Sequence, residues 1–196
     1  MLEEERKSLY SRKDDYLSIG ISCDGEFINP ISVPWEKTAH AFNMKIPDVY
    51  ITPEDLSDKE LVDKIKSFHV VGCYVFATLD DYSFIAGLKE VRDIYIANGA
   101  GLVDLSFLSE LCEWRMLHVA KAHLKDLDPV LESSKIDRMF PAFCLSFAVC
   151  TVDDVTALYE MKHISELIII GEDDDDERAK WKRVSALTHR YYKTER

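Results

Sequence analysis

Apolar residues in the middle of the chain recur in a fixed figure. The template apolar-x-x-apolar-x-x-apolar-x-apolar fits Ile65-Phe68-Val71-Cys73, Leu88-Val91-Ile94-Ile96 and Leu111-Trp114-Leu117-Val119. It fits again at Met139-Ala142-Leu145-Phe147 and at Met161-Ile164-Leu167-Ile169. Its third position moves from 71 to 94, 117, 145 and 167, in steps of 23, 23, 28 and 22 residues. A second marker keeps the same pace: Asp80, Asp104, Asp126 and Asp154 follow that position nine or ten residues later. Behind each aspartate comes an apolar pair, Tyr82 and Ile85, Leu105 and Leu108, Leu127 and Val130, Val155 and Leu158. Two ladders with one period predict stacked units, because one such unit cannot bury its apolar side alone. The 28-residue step predicts an extra loop near residues 131 to 135.

The segment from Leu88 to Leu108, LKEVRDIYIANGAGLVDLSFL, resembles the bacterial leucine-rich repeat of about 22 residues, as does LCEWRMLHVAKAHLKDLDPVL from Leu111 to Leu131. The resemblance covers residues 65 to 172, over half of the chain. It implies an α/β fold: a short leucine-rich-repeat solenoid of about five coils, with a parallel sheet on its concave face. It is specific for fold and says little about function, since such repeats serve many partners. One departure stands out. Repeats of this kind carry an asparagine after the strand that bonds neighbouring units, whereas this chain has Gly99 and Ala122 there, with Asn98 the only nearby candidate. Backbone groups at that corner need other partners, so an irregular, less rigid stack is expected.

The ends of such a stack need covers. Residues 1–64 are expected to form an N-terminal α+β cap, residues 65–172 the repeats, and residues 173–196 an acidic loop and a C-terminal capping helix. In the cap, Tyr16 to Ile21 alternates like a strand, Asp24-Gly25 suits a hairpin turn, and Phe27 to Val33 would return beside it. Val49-Tyr50-Ile51 reads as a further strand. Thr52 and Pro53 then open a helix through Leu56, Leu61 and Ile65. At the far end Trp181, Val184, Leu187 or Thr188, and Tyr191 make an apolar stripe at helical spacing.

Composition narrows the function classes. The 196 residues are 47% apolar and 31% charged, room for one compact domain of ordinary globular makeup. No apolar run reaches the ~18 residues of a membrane span, and Met1 to Lys7 lacks the apolar stretch of a secretory leader. A cytoplasmic protein that uses no membrane is therefore expected. The five cysteines, Cys23, Cys73, Cys112, Cys144 and Cys150, are odd in number and form no paired metal motif. They read as free thiols packed like small hydrophobes. A net charge of −12 argues against binding nucleic acid, which depends on neutralising phosphates, and favours encounter with a basic protein. A monomer is expected.

Strand residues between the inward positions should face the concave side in three rows. They are Val70, Asp93, Met116, Cys144 and Glu166; Gly72, Tyr95, His118, Ser146 and Ile168; and Tyr74, Ala97, Ala120, Ala148 and Ile170. Aromatic residues and Met are enriched at protein interfaces, so Tyr74, Asp93, Tyr95, Met116, His118 and Ser146 are the expected partner-binding residues. The competing reading is that the N-terminal segment hides this face. Arg92 and Arg115 hold equivalent positions, as do Glu90 and Glu113, which reads as a surface charge ladder more than an anion site. His118, Cys144 and Asp93 are the one neighbourhood with metal-ligating types, without the spacing that zinc takes. The acidic run Asp173 to Asp176 lacks the alternation and glycine of a calcium loop. No nucleophile-elbow, phosphate-loop, metalloprotease or dinucleotide motif occurs.

The expected function is a non-enzymatic protein-interaction module that uses no cofactor and no metal. Two alternatives differ from it: an immunity or inhibitor protein covering a basic toxin or nuclease, and a metal-dependent or enzymatic protein built on the His118, Cys144 and Asp93 neighbourhood.

Overall fold

A computed structural model describes residues 1, 3–13, 15–23, 47–111, 114–134, 143–161, 164–170, 175–188 and 194–195. Strands β1 (Tyr16–Ile21), β2 (Val49–Ile51), β3 (His69–Val75), β4 (Asp93–Ile96), β5 (Met116–Ala120), β7 (Phe143–Ala148), β9 (Ile164–Ile170) and β10 (Thr194–Glu195) form one sheet. Its order is β10-β9-β7-β5-β4-β3-β1-β2, and every pairing in it is parallel. A second, two-stranded parallel sheet pairs β6 (His123–Asp126) with β8 (Thr151–Asp154). Among the described residues no helix is long and apolar enough to cross a membrane. The fold is thus mixed α/β, built on parallel strands.

From β3 to β9 the chain adds strands in order, and the register follows the apolar period. Cys73, Ile94, Leu117, Leu145 and Leu167 lie side by side, in steps of 21, 23, 28 and 22 residues. Val75, Ile96, Val119, Phe147 and Ile169 form the next inward row, and all ten of these side chains are fully buried. Burying one such side chain stabilises by ~1.5–3 kcal/mol. The first unit corrects the sequence reading by two residues: Cys73, not Val71, aligns with Ile94. Phe68 and Val71 are only partly buried, whereas Val70 is buried. The run His69–Val75 is apolar at nearly every position, so alternation could not set its register.

Strands β4, β5, β7 and β9 are each preceded, across the molecule, by a short helical turn that closes the core. These turns are 3₁₀ segments at Ser83–Gly87 and Ser106–Glu110, then α3 (Asp128–Ser134) and α4 (Ala157–Glu160). The apolar pairs behind the aspartate marker all point inward: Ile85, Leu105, Leu108, Leu127 and Leu158 are fully buried, and Tyr82, Val130 and Val155 nearly so. The aspartates start these turns. Carboxylates of Asp81, Asp104, Asp126 and Asp154 each accept the backbone N–H two residues on, at 2.7, 2.8, 3.1 and 2.8 Å. The first of them is Asp81, not the expected Asp80, and Asp80 is exposed. Hydrogen bonding from Ser83, Ser106 and Thr156 holds the Asp81, Asp104 and Asp154 carboxyls below the usual carboxylate range.

The corner that lacks an asparagine ladder is closed by backbone bonds. Ala97 N–H donates to Val75 O, Gly99 to Ala120 O, Lys121 to Ala148 O and Thr151 to Ala122 O, at 2.8 to 3.0 Å. Asn98 turns its amide to Thr78 Oγ1 at 2.6 Å instead. The buried Cys150 thiol donates to Val119 O at 3.3 Å. Lys121 and Val149 turn this corner at φ of 57° and 54°, a region that costs a β-branched residue steric strain.

At the N-terminal end the sheet is extended as well as covered. Strand β1 lies between β3 and β2, so β2 is the edge. Backbone groups of Ser18 and Asp48, with the Asp48 carboxylate, lock the β1–β2 junction at 2.8 Å. Residues Phe27 to Val33, the expected hairpin return, lie outside the described residues. Over Ile19–Ile21 both edges of β1 are taken by parallel strands. The expected helix from Thr52 divides: a 3₁₀ turn at Glu54–Ser57 is followed by α2 (Lys59–Lys66), whose N-cap Asp58 accepts Leu61 N–H at 3.1 Å. A further helix, α1 (Glu3–Ser11), buries Leu9 and is held to this region by Arg6–Asp58 at 3.0 Å and by the Met1 amino group on Asp55.

At the other end α5 (Asp175–Thr188) buries Trp181 and Val184 completely. The Trp181 ring stacks on Phe147 at 5.6 Å, and Lys180 Nζ donates to Val152 O. Trp181 and Val184 of the expected apolar stripe are thus buried; Tyr191 lies outside the described residues. So do residues 135–142, where the 28-residue step has its excess.

Candidate functional site

The register brings the expected contact residues onto one face of the sheet. Gly72, Asp93, Met116, Cys144 and Glu166 form one row, and Tyr74, Tyr95, His118, Ser146 and Ile168 the next. Tyr74 therefore joins Tyr95 and His118 rather than the row of alanines. Within the row the rings of Tyr95 and His118 stack at 4.4 Å and 8°, and His118 Nδ1 lies 2.9 Å from Ser146 Oγ.

These side chains do not form an open groove. Tyr74, Tyr95, His118 and Ser146 are 0–2% exposed, Met116 is 5% exposed, and only Asp93 is half-buried. The expected partner-binding row is thus an interior layer, reached by a partner only if its cover moves. A parallel sheet rich in apolar residues on both faces must be covered on both. Burial pushes His118 down to about 3 and Tyr95 up to about 12. The imidazole therefore stays neutral in ordinary buffers. Ser146 beside His118 has the residue types of a nucleophile and its base, with the Ser146 hydroxyl fully buried.

The second expected chemical neighbourhood is His118, Cys144 and Asp93, with Asp93 and Cys144 on either side of Met116 in one row. Cys144 Sγ lies 3.6 Å from Glu166, and burial followed by the Glu166 charge pushes its thiol up. Among the described residues no three His, Cys, Asp or Glu side chains come together as a metal-binding group. Arg115 N–H donates to Arg92 O, so those two positions are neighbours, as their spacing predicts. Glu90 pairs with His69; Glu113 lies outside the described residues.

A different feature stands on the far side, between the 3₁₀ turns Ser83–Gly87 and Ser106–Glu110. It is a groove of about 490 Å³ whose lining includes Tyr82, Leu102 and Phe107 and the carboxylates Asp80, Asp81, Asp104 and Glu110. Gly101 lines it too: a Cβ there would come 2.4 Å from Leu79 O, so only glycine lets the two chain segments approach this closely. Among the described residues no Lys or Arg lines the groove. In sequence its signal was the Asp80-Asp81 pair and Asp104 one period on, which reads as a turn marker until the turns are placed side by side.

No protein-family model, no curated protein and no solved structure matches this chain.

Proposed function

We propose that the chain is a short leucine-rich-repeat solenoid acting as a non-enzymatic protein-interaction module, with its contact surface on the helical-turn side. The observation that carries this reading is the register: residues 73, 94, 117, 145 and 167 stand in one row although no two are nearer than 21 positions in sequence. Stacked units of nearly constant length produce such a row. Supporting it, each of four units starts its outer turn with an aspartate bonded to the residue two positions on. The run Leu145-Ser146-Phe147-Ala148-Val149-Cys150-Thr151-Val152 also has the L-x-L-x-x-N/C-x-L spacing of such repeats, with Cys150 at the N/C position. Burial of Tyr95, His118 and Ser146 argues for moving the contact surface from the concave face to the outer one.

The interaction is tested with a photo-crosslinking amino acid placed in turn at four exposed positions, Tyr10, Val103, Val149 and Tyr159. In cells that make the protein, a discrete protein adduct is expected from Val103 and none from Tyr10. Absence of an adduct from all four positions would remove the interaction reading.

A further inference from the structure

The groove between the 3₁₀ turns combines shape, an apolar floor and one sign of charge. Phe107 lies in its lining at 6% exposure, and Val103, also lining it, is the most exposed large aliphatic residue among those described, at 64%. Asp80, Asp81, Asp104 and Glu110 surround these apolar groups, and all four are exposed. None of the four enters an ion pair within 4.0 Å among the described residues; Lys125 acts on Asp104 from farther off. Asp81 and Asp104 already accept hydrogen bonds that start the turns, whereas Asp80 and Glu110 have no such duty. A bare metal ion does not suit carboxylates spread along both turns, two of them partly occupied. A chain bearing several separate cations does.

We propose that this groove docks an extended basic segment of a partner protein, with an apolar side chain against Val103 and Phe107 and flanking Lys or Arg side chains on Asp80 and Glu110. The proposal rests on the reading of the chain as an interaction module and names the partner class for it. The charge complementarity is local, and the net charge of −12 assists it by drawing basic chains towards the molecule. The apolar contact gives the groove selectivity that a diffuse acidic surface lacks.

The test uses the full chain and a fluorescein-labelled peptide with arginines on both sides of a single leucine, followed by anisotropy at low and moderate salt. The intact protein is expected to bind, more weakly as salt rises. The double variant Asp80→Asn/Glu110→Gln is expected to bind about five-fold or more weakly. A matched variant, Glu4→Gln/Glu160→Gln, removes the same charge from exposed positions elsewhere and should bind within about two-fold of the intact protein. Val103→Ser should weaken binding of this peptide while leaving a leucine-free arginine peptide unchanged. Equal losses in the two double variants would reduce the effect to net charge and overturn the proposal, as would failure of the intact protein to bind. Those results leave the interaction reading standing wherever a crosslinked partner is found at another position, so the two fail separately.

Discussion

At the scale of single residues, the least ordinary group is His118. It is 1% exposed, stacked on Tyr95 and bonded to Ser146, and its pKa is pushed down to about 3 by burial. In the unfolded chain it titrates near 6.5. Between those values the unfolded state holds a proton that the folded state does not, so stability falls as pH falls through this window. Between pH 6.5 and 4.5 this one side chain should lower stability by up to about 3 kcal/mol. Urea unfolding of the intact protein and of His118→Asn at both pH values checks this. The variant should be less stable at pH 7 yet show a shallower pH slope; identical slopes would assign the acid sensitivity to other groups. The turn aspartates act in the same direction at lower pH, because Asp81, Asp104 and Asp154 lose their bonded carboxylate form as pH falls through their lowered values.

At the scale of elements, the two ends are closed by different means. The N-terminal end adds β2 and β1 to the sheet and ties α1 to the N-cap of α2 through the partly exposed Arg6–Asp58 pair, a kind of contact that contributes little individually. The C-terminal end adds only the two-residue β10 to the sheet and relies on apolar contact: Trp181 and Val184 of α5 are fully buried, and Trp181 stacks on Phe147. Removing that ring leaves a large cavity, so Trp181→Ala is expected to cost ~3–5 kcal/mol. The loss should appear first as fast hydrogen exchange in α5 and β9, with β4 and β5 still protected. If exchange instead rises equally in β4, α5 is part of the core rather than a cap on it.

At the scale of the whole molecule, the proposed solenoid makes a prediction that a closed α/β domain does not. Units that contact only their neighbours can be removed one at a time. Excising residues 94–116, one full 23-residue step, joins Asp93 to Leu117 and preserves the row of inward side chains. That chain should still unfold cooperatively in urea, with a smaller m value, since m scales with the surface exposed on unfolding. Excising residues 94–105 instead breaks the period and should abolish cooperative folding. If both excisions abolish it equally, the stacked-unit reading is wrong.

Much of this architecture was legible in the residues themselves. Among the described residues, the inward side chains from Leu88 onwards, the apolar pairs behind the aspartates and the stripe residues Trp181 and Val184 are buried as their spacing predicts. They were readable because periodicity records which side chains leave water, and that depends on local residue types. Three matters were decided only by the tertiary structure. The register of β3 moved by two residues, a shift that keeps every side chain on the same face and so leaves no mark in an alternation pattern. The place of β2 outside β1 depended on which parallel edge was free. The sheet face carrying Tyr95, His118 and Ser146 became interior, because a hydrophobic pattern says that a side chain seeks cover and is silent on whether its own chain or a partner supplies it. The acidic groove is the counterpart: its carboxylates are ordinary turn residues in sequence, and only the side-by-side packing of two turns one period apart joins them into a surface.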